Sequence, residues 1–403
     1  MAGRRRARGS RDVGLWRALL SPVLLLVLLV GCGGRPATDG VRADVQRVLD
    51  RRAAALLAHD ADAYAATGRS TGYARLRAVP LAGWSYRVTA VHRSGDTATA
   101  DAELSYRLTG HDRAPVTADR SVRLARDADG RWTVTSERPA GKAGEQLWDQ
   151  GTVTVVRGAH SLVLGVGQSA ARLRDFAGLA DRAVPAVSEA WGTDWARGVV
   201  LLVPGSLDGM AALLGSPASS YRGIAAVTTA ETGGASPAPA DRVVVNPDAY
   251  GSLGPLGQQV VLTHETTHVA TRAHTDAATP LWLSEGYADW VGYRGTGRTP
   301  RQVAPELVGA LAAGESPEDL PADDDFGFAG DADRLARAYE GGWLACRLIA
   351  DRWGEERLEA FYRAVGAHGK RDGAVEGALE SVLGTTTEDF TAAWRQYLHD
   401  ELG

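Results

Sequence analysis

Between Trp84 and Glu137 the apolar residues recur at every second position, and beyond Pro255 they recur at helical spacing. A chain written in these two periods pairs a half-buried sheet with packed helices, because each apolar face needs a partner to bury against. The alternating segments are "WSYRVTAVHR" (Trp84 to Arg93), "TATADAELSYRL" (Thr97 to Leu108), "VTADRSVRLARD" (Val116 to Asp127) and "RWTVTSE" (Arg131 to Glu137). Asp129-Gly130 joins the last two as a hairpin. Before them Val41, Val45, Val48, Leu49 and Leu56 form one helical stripe, with Asp39 as its expected cap. A first α+β unit is therefore expected over residues 41–140, and the turn-rich "RPAGKAGEQ" (Arg138 to Gln146) separates it from a second over residues 145–403. In the second unit the strands come first: "TVTVVRG", "HSLVLGVG", "GVVLLVP", "GIAAVTT" and "RVVVNP", with a helix from Ser169 to about Trp191 among them. Everything after Pro255 is expected to be helix, so the fold class is α+β.

The 403 residues suffice for two or three cores, and 44% hydrophobic with 23% charged residues is a globular composition. A formal net charge of −5 gives no general attraction for nucleic acid, and that partner is not expected. The clustered basic residues run from Arg4 to Arg11 and precede an apolar run from Ala18 to Val30, which is broken by Ser21-Pro22. That is the build of a secretory signal, and the run is short of the roughly 20 residues that span a bilayer. Its ending, Leu29-Val30-Gly31-Cys32, resembles the lipobox of bacterial lipoproteins. The resemblance implies cleavage before Cys32 and a lipid on its thiol, with residues 1–32 as signal peptide and 33–40 as tether. An uncleaved anchor with an incidental cysteine is the other reading of these residues. Both place the remainder outside the cytoplasm, at the cell membrane. The second cysteine, Cys346, lies in the apolar run "WLACRLIA" and is expected to be a core residue.

The chemistry sits in "VLTHETTHVATR", Val261 to Arg272. Gly254-Pro255 opens a helix. On a helix His264 and His268 share a face, and Glu265 lies about 100° round from the first of them. Two imidazoles can fill two corners of a tetrahedral zinc site while the glutamate stays free to take a proton from water. Two ordinary histidines on a helix are the bland alternative. Downstream, "TPLWLSEGYADWVGYR" is expected to be a second helix, capped by Thr279 with Pro280 in its first position. Sixteen residues separate His268 from Glu285, enough for an antiparallel return that brings Glu285 in as third ligand. Asp289, four residues on, shares that face and can orient a ligating imidazole through its other nitrogen. Tyr287 is expected to pack.

"HETTH" followed by "WLSEGYAD" resembles the gluzincin metallopeptidases, and most closely the branch of the leukotriene hydrolase and M1-type aminopeptidases. "AYEGGWLACRLIADRWG" (Ala338 to Gly354) is similar to that branch's Tyr-Glu-x-Gly helix start. The resemblance implies a zincin-like domain with a small mixed sheet and a C-terminal helical subdomain. It also implies one Zn²⁺ per chain on His264, His268 and Glu285, Glu265 as general base, and Tyr339 donating to the oxyanion. An edge strand in such enzymes pairs with an extended peptide, and "GIAAVTT" with Ala225, Ala226 and Val227 is the matching segment. The branch's Gly-x-Met-Glu-Asn signature, which grips a substrate amine, is missing here, so endopeptidase action on a peptide or protein is favoured over aminopeptidase action. Glu231, in a Gly/Pro-rich loop, is a nearby acid that could substitute. The first unit resembles the NTF2-like cone fold in element order. The competing function is a surface lipoprotein that binds zinc or a ligand without turnover.

Overall fold

The computed structural model describes residues 37–141, 144–229, 239–327 and 331–403. Cys32, the signal segment, the start of the tether and Glu231 lie outside the described residues. Among the described residues no helix is long and apolar enough to cross a membrane.

Helix α1 (Ala37–Leu57) buries Val41, Val45, Val48, Leu49 and Leu56, the stripe visible in the sequence. It starts before Asp39, so that residue lies within the helix rather than at its cap, and the last residues expected in the tether are helical. Four strands follow: β1 (Leu81–Ser94), β2 (Thr97–Leu108), β3 (Val116–Arg126) and β4 (Trp132–Pro139). They pair antiparallel in sequence order. Along β2 every second residue, Ala98 through Leu108, is buried. Gln46 of α1 reaches β1, where its amide accepts from Val88 N–H at 2.9 Å and donates to the Tyr86 carbonyl at 2.7 Å.

The second sheet holds β5 (Thr154–Arg157), β6 (Ser161–Gly165), β7 (Val199–Val203), β8 (Ala226–Thr229) and β9 (Arg242–Val245). Its order is β5-β6-β7-β9-β8, with β6, β7 and β9 parallel and the outer strands antiparallel to their neighbours. The sheet is thus mixed, and the whole is α+β. β9 inserts between β7 and β8, which leaves β8 as an edge strand. Two short helices, Leu207–Leu214 between β7 and β8 and Pro247–Ser252 after β9, have no counterpart in the expected element order. The two sheets share one apolar cluster: Trp148 packs against Trp84 and Tyr106, with ring centroids 5.3 and 5.0 Å apart, and Leu162, Leu164 and Val200 join them. Buried Arg120 ties β3 to Asp149 and Glu137, and Arg242 binds the carboxylate of Asp112 through both oxygens at 2.9 and 2.8 Å.

Helix α2 (Ala170–Trp191), capped by Ser169, covers the second sheet and buries Leu173, Phe176, Ala180, Val184, Val187 and Trp191 at helical spacing. Then come α3 (Pro255–Thr271), α4 (Leu281–Tyr293), α5 (Ala332–Trp353), α6 (Glu355–Ala367) and α7 (Thr387–Leu402). They enclose a helical core that includes Tyr287, Trp343, Cys346, Phe361, Tyr362, Phe390 and Trp394.

Candidate metal centre

Three helices meet at the site, and glycine lets them meet. A Cβ on Gly286 of α4 would lie 2.3 Å from the Gly342 backbone of α5, and one on Gly342 would lie 2.6 Å from the Trp282 carbonyl. Real Cβ atoms do not approach backbone that closely, so both positions require glycine. Gly286 follows Glu285, and Gly342 is one turn past Tyr339, so this crossing sets how near the two side chains come. Gly292 lets α4 press on α3 in the same way, with a Cβ there 3.2 Å from both the Val260 carbonyl oxygen and its side chain.

Helix α3 begins at Pro255 as expected and carries His264 and His268 on one face. Helix α4 begins at Leu281, not Pro280. The sequence expectation of a Thr279 cap fails because that hydroxyl accepts from Asp276 N–H at 3.3 Å, while the Asp323 carboxylate takes the Leu281 N–H at 2.9 Å. A carboxylate borrowed from a distant segment replaces the local cap.

His264 Nε2 lies 3.0 Å from His268 Nε2 and 3.2 Å from Glu285 Oε2, and His268 Nε2 lies 3.4 Å from the same oxygen. Those three atoms form the cluster with the geometry to hold a metal ion among the described residues. Zinc–nitrogen and zinc–oxygen bonds of about 2.0–2.2 Å at tetrahedral angles put ligand atoms roughly 3.3–3.5 Å apart, so the donor set fits the ion closely. The Asp289 carboxylate sits 2.8 Å from His264 Nδ1. With the proton of Nδ1 directed at Asp289, Nε2 turns a lone pair to the centre, which is the tautomer a metal needs. Burial opposes charge on His264, but Asp289 and Glu285 outweigh it and hold the imidazole well above its ordinary range. Burial likewise opposes the Glu285 carboxylate, and His268 and His264 nevertheless hold its pKa well below the usual carboxylate range.

Glu265 is buried beside the cluster, and the Thr228 hydroxyl of β8 donates to its Oε2 at 2.6 Å. The Tyr339 ring lies 6.5 Å from that of His264 and meets Phe326 edge-on at 5.2 Å. Burial, then the charges of Glu285, Asp289 and Glu265, push its phenol far above the ordinary value. His264, Glu265, His268, Glu285, Asp289 and Tyr339 line one cleft of about 930 Å³ together with Ala225, Ala226, Val227 and Thr228. The Ala225 carbonyl accepts from Asn246 N–H at 2.9 Å, so antiparallel alternation turns the backbone groups of Ala226 and Thr228 to the open side of the edge. The free edge is therefore at Ala226 and Thr228, with Ala225 and Val227 bonded inward.

Two residues stand apart from the cleft. Tyr287 is fully buried, its hydroxyl donating to the Ala190 carbonyl at 3.0 Å, and Cys346 is fully buried with burial pushing its thiol well up. Sequence reasoning missed Thr228, and it missed Glu340. The Glu340 carboxylate accepts from the N–H groups of Glu306 and Leu307 at 3.1 and 2.7 Å and so caps the helix Pro305–Ala312, while Glu340 itself lines the cleft. Burial raises its pKa to about 7 against those hydrogen bonds. Nothing local in the sequence joins Glu340 to a helix start 34 residues earlier.

No family model matches the sequence, and no curated protein matches it. Among solved structures, a two-domain M1 zinc metallopeptidase mutant bound to L-arginine is 10% identical, with 80% of this chain and 94% of that one covered and a TM-score of 0.37. An M1 zinc metallopeptidase from Deinococcus radiodurans is 15% identical over 78% of this chain and 60% of its own, at a TM-score of 0.35. Yeast LTA4 hydrolase is 13% identical over 68% of this chain, which spans 43% of that protein, again at 0.35.

Proposed function

We propose that the chain is an extracytoplasmic zinc metallopeptidase, held at the membrane by a lipid on Cys32, that cuts within peptides or proteins. The observation that carries this reading is the convergence of His264 Nε2, His268 Nε2 and Glu285 Oε2 at 3.0–3.4 Å, with a free glutamate beside them. Those three residues would hold the zinc, which when bound polarises a carbonyl and brings the pKa of water to roughly 7. Asp289 fixes His264 in the ligating tautomer. Glu265 accepts the proton of the attacking water and passes it to the leaving amine. Tyr339, on the same cleft, donates a hydrogen bond to the oxygen of the scissile carbonyl as charge grows there.

An extended substrate would add to β8 through the outward backbone groups of Ala226 and Thr228. Internal cleavage is favoured by the acids that line the cleft. Apart from the site carboxylates and Glu265, the described lining holds Asp241 and Glu340. The first lies 3.9 Å from Arg272, and the second caps a helix, so both have partners other than a substrate amine. The first unit, a helix laid on an antiparallel four-stranded sheet, is read as an NTF2-like cone.

The deciding experiment uses soluble protein beginning at Gly33, measured for zinc content and for hydrolysis of a broad peptide library. One zinc per chain with internal cuts is the expected outcome. Stoichiometric zinc without hydrolysis would leave a binding lipoprotein instead. Tyr339→Phe is expected to keep zinc and lower kcat by about 100-fold, in line with the loss of one oxyanion donor. A variant as fast as the parent would return Tyr339 to packing against Phe326.

A further inference from the structure

We infer that Thr228 is a positioning residue for Glu265, and that through it the substrate-pairing strand holds the general base in place. The inference rests on the peptidase reading above. The Thr228 hydroxyl has one proton and two oxygens of Glu265 within reach, the carboxylate Oε2 at 2.6 Å and the backbone carbonyl at 3.2 Å. The shorter distance falls in the range of charge-assisted O–H···O⁻ bonds, about 2.5–2.7 Å, so the proton goes to the carboxylate. Among the described residues no other side chain hydrogen-bonds that carboxylate. Glu265 is 7% exposed, and its neighbours on α3, Thr266 and Thr267, spend their hydroxyls on the Leu262 and Thr263 carbonyls within the helix.

The bond fixes Oε2 and leaves the other carboxylate oxygen to take a proton. A glutamate has three rotatable side-chain bonds, and a buried one without this anchor would sample rotamers that turn both oxygens from the cleft. Thr228 is well placed to prevent that because its own backbone is fixed in β8 by the register Thr228↔Val243. The same residue presents its N–H and C=O at the open edge. One residue thus touches the base through its side chain and lies where an extended peptide would pair through its backbone, which ties the position of the scissile bond to the position of the base. A threonine in an Ala/Val strand is ordinary by composition, and its role exists only in the packing of β8 against α3.

The test compares Thr228→Val, which keeps the shape and loses the hydroxyl, with Thr228→Ser, which keeps the hydroxyl. Thr228→Ala serves as a second hydroxyl-free variant should the valine fail to fold. In the zinc-loaded full chain the valine variant is expected to lose up to about 100-fold in kcat, with KM and zinc content unchanged and serine restoring most of the rate. In metal-free protein carrying ¹³C-labelled glutamate, the Glu265 carboxyl resonance, assigned by its disappearance in Glu265→Gln, is expected to move in Thr228→Val and to stay in Thr228→Ser. Parent-like kcat in the valine variant, serine as slow as valine, or an unmoved resonance each overturn the positioning role. Glu265→Gln measured alongside separates the two levels. If it is inactive while Thr228→Val is fully active, only the positioning role fails, whereas a fully active Glu265→Gln removes the base assignment and the positioning role with it.

Discussion

Glu265→Gln is expected to bind zinc like the parent and to hydrolyse peptides about 10²–10⁴-fold more slowly. The substitution changes one atom. The glutamine carbonyl oxygen still accepts the Thr228 hydroxyl, so the side chain keeps its anchor and β8 keeps its contact with α3. None of the three converging donor atoms belongs to Glu265, so the metal site is untouched. What disappears is the ability to hold a proton between attack by water and departure of the amine, because an amide is not basic at neutral pH. Zinc content by elemental analysis and single-turnover hydrolysis of one cleaved peptide separate the two expectations. Parent-like turnover in this variant would falsify the base assignment even with the metal in place.

How much of this is legible in the sequence follows from how local each feature is. The His264/His268 pair depends only on helical periodicity and a Gly-Pro start, and the structure keeps both on one face of α3. Glu285 and Asp289 depend on a second helix returning beside the first, which the intervening turn length permits and the glycines at 286, 292 and 342 make close. Those glycines stand in the sequence, but which backbone each one faces is a tertiary fact. Helix α4 starts one residue later than the local Thr-Pro pattern implies because its cap is the Asp323 carboxylate, far away in the chain. The insertion of β9 between β7 and β8 leaves no mark in a local apolar pattern, and the free edge of β8 falls at Ala226 and Thr228 only because of that pairing. The shared core of the two sheets was hidden likewise. Trp148 sits just beyond a turn-rich segment that looks like a boundary, yet its ring closes the apolar face between Trp84 and Tyr106.

His264→Ala carries the other large expected effect, on metal and stability together. The imidazole touches both carboxylates of α4, Asp289 through Nδ1 at 2.8 Å and Glu285 through Nε2 at 3.2 Å. Removing it takes one donor from a site of three and leaves two partly buried carboxylates, one turn apart on α4, without the ring that lies between them. Like charges at that spacing on a helix repel, and each has lost its nearest partner. Zinc binding should therefore fall below stoichiometric at concentrations that saturate the parent. The parent gains stability from a ligand that binds only the folded state, about 2.7 kcal/mol at 100 times the dissociation constant, and that gain should vanish in the variant. Calorimetric unfolding with zinc and with a chelator reads this directly. The parent midpoint is expected to drop on chelation, and the His264→Ala midpoint to lie at or below that chelated value and to ignore zinc. Asp289→Asn grades the effect, since it keeps all three donors but weakens the hold on the His264 tautomer, a change typically worth about 10–100-fold in metal affinity. If His264→Ala still unfolds at a zinc-dependent midpoint equal to that of the parent, the ion is held elsewhere, and His264 with Glu285 and Asp289 is only an ion-paired contact between α3 and α4.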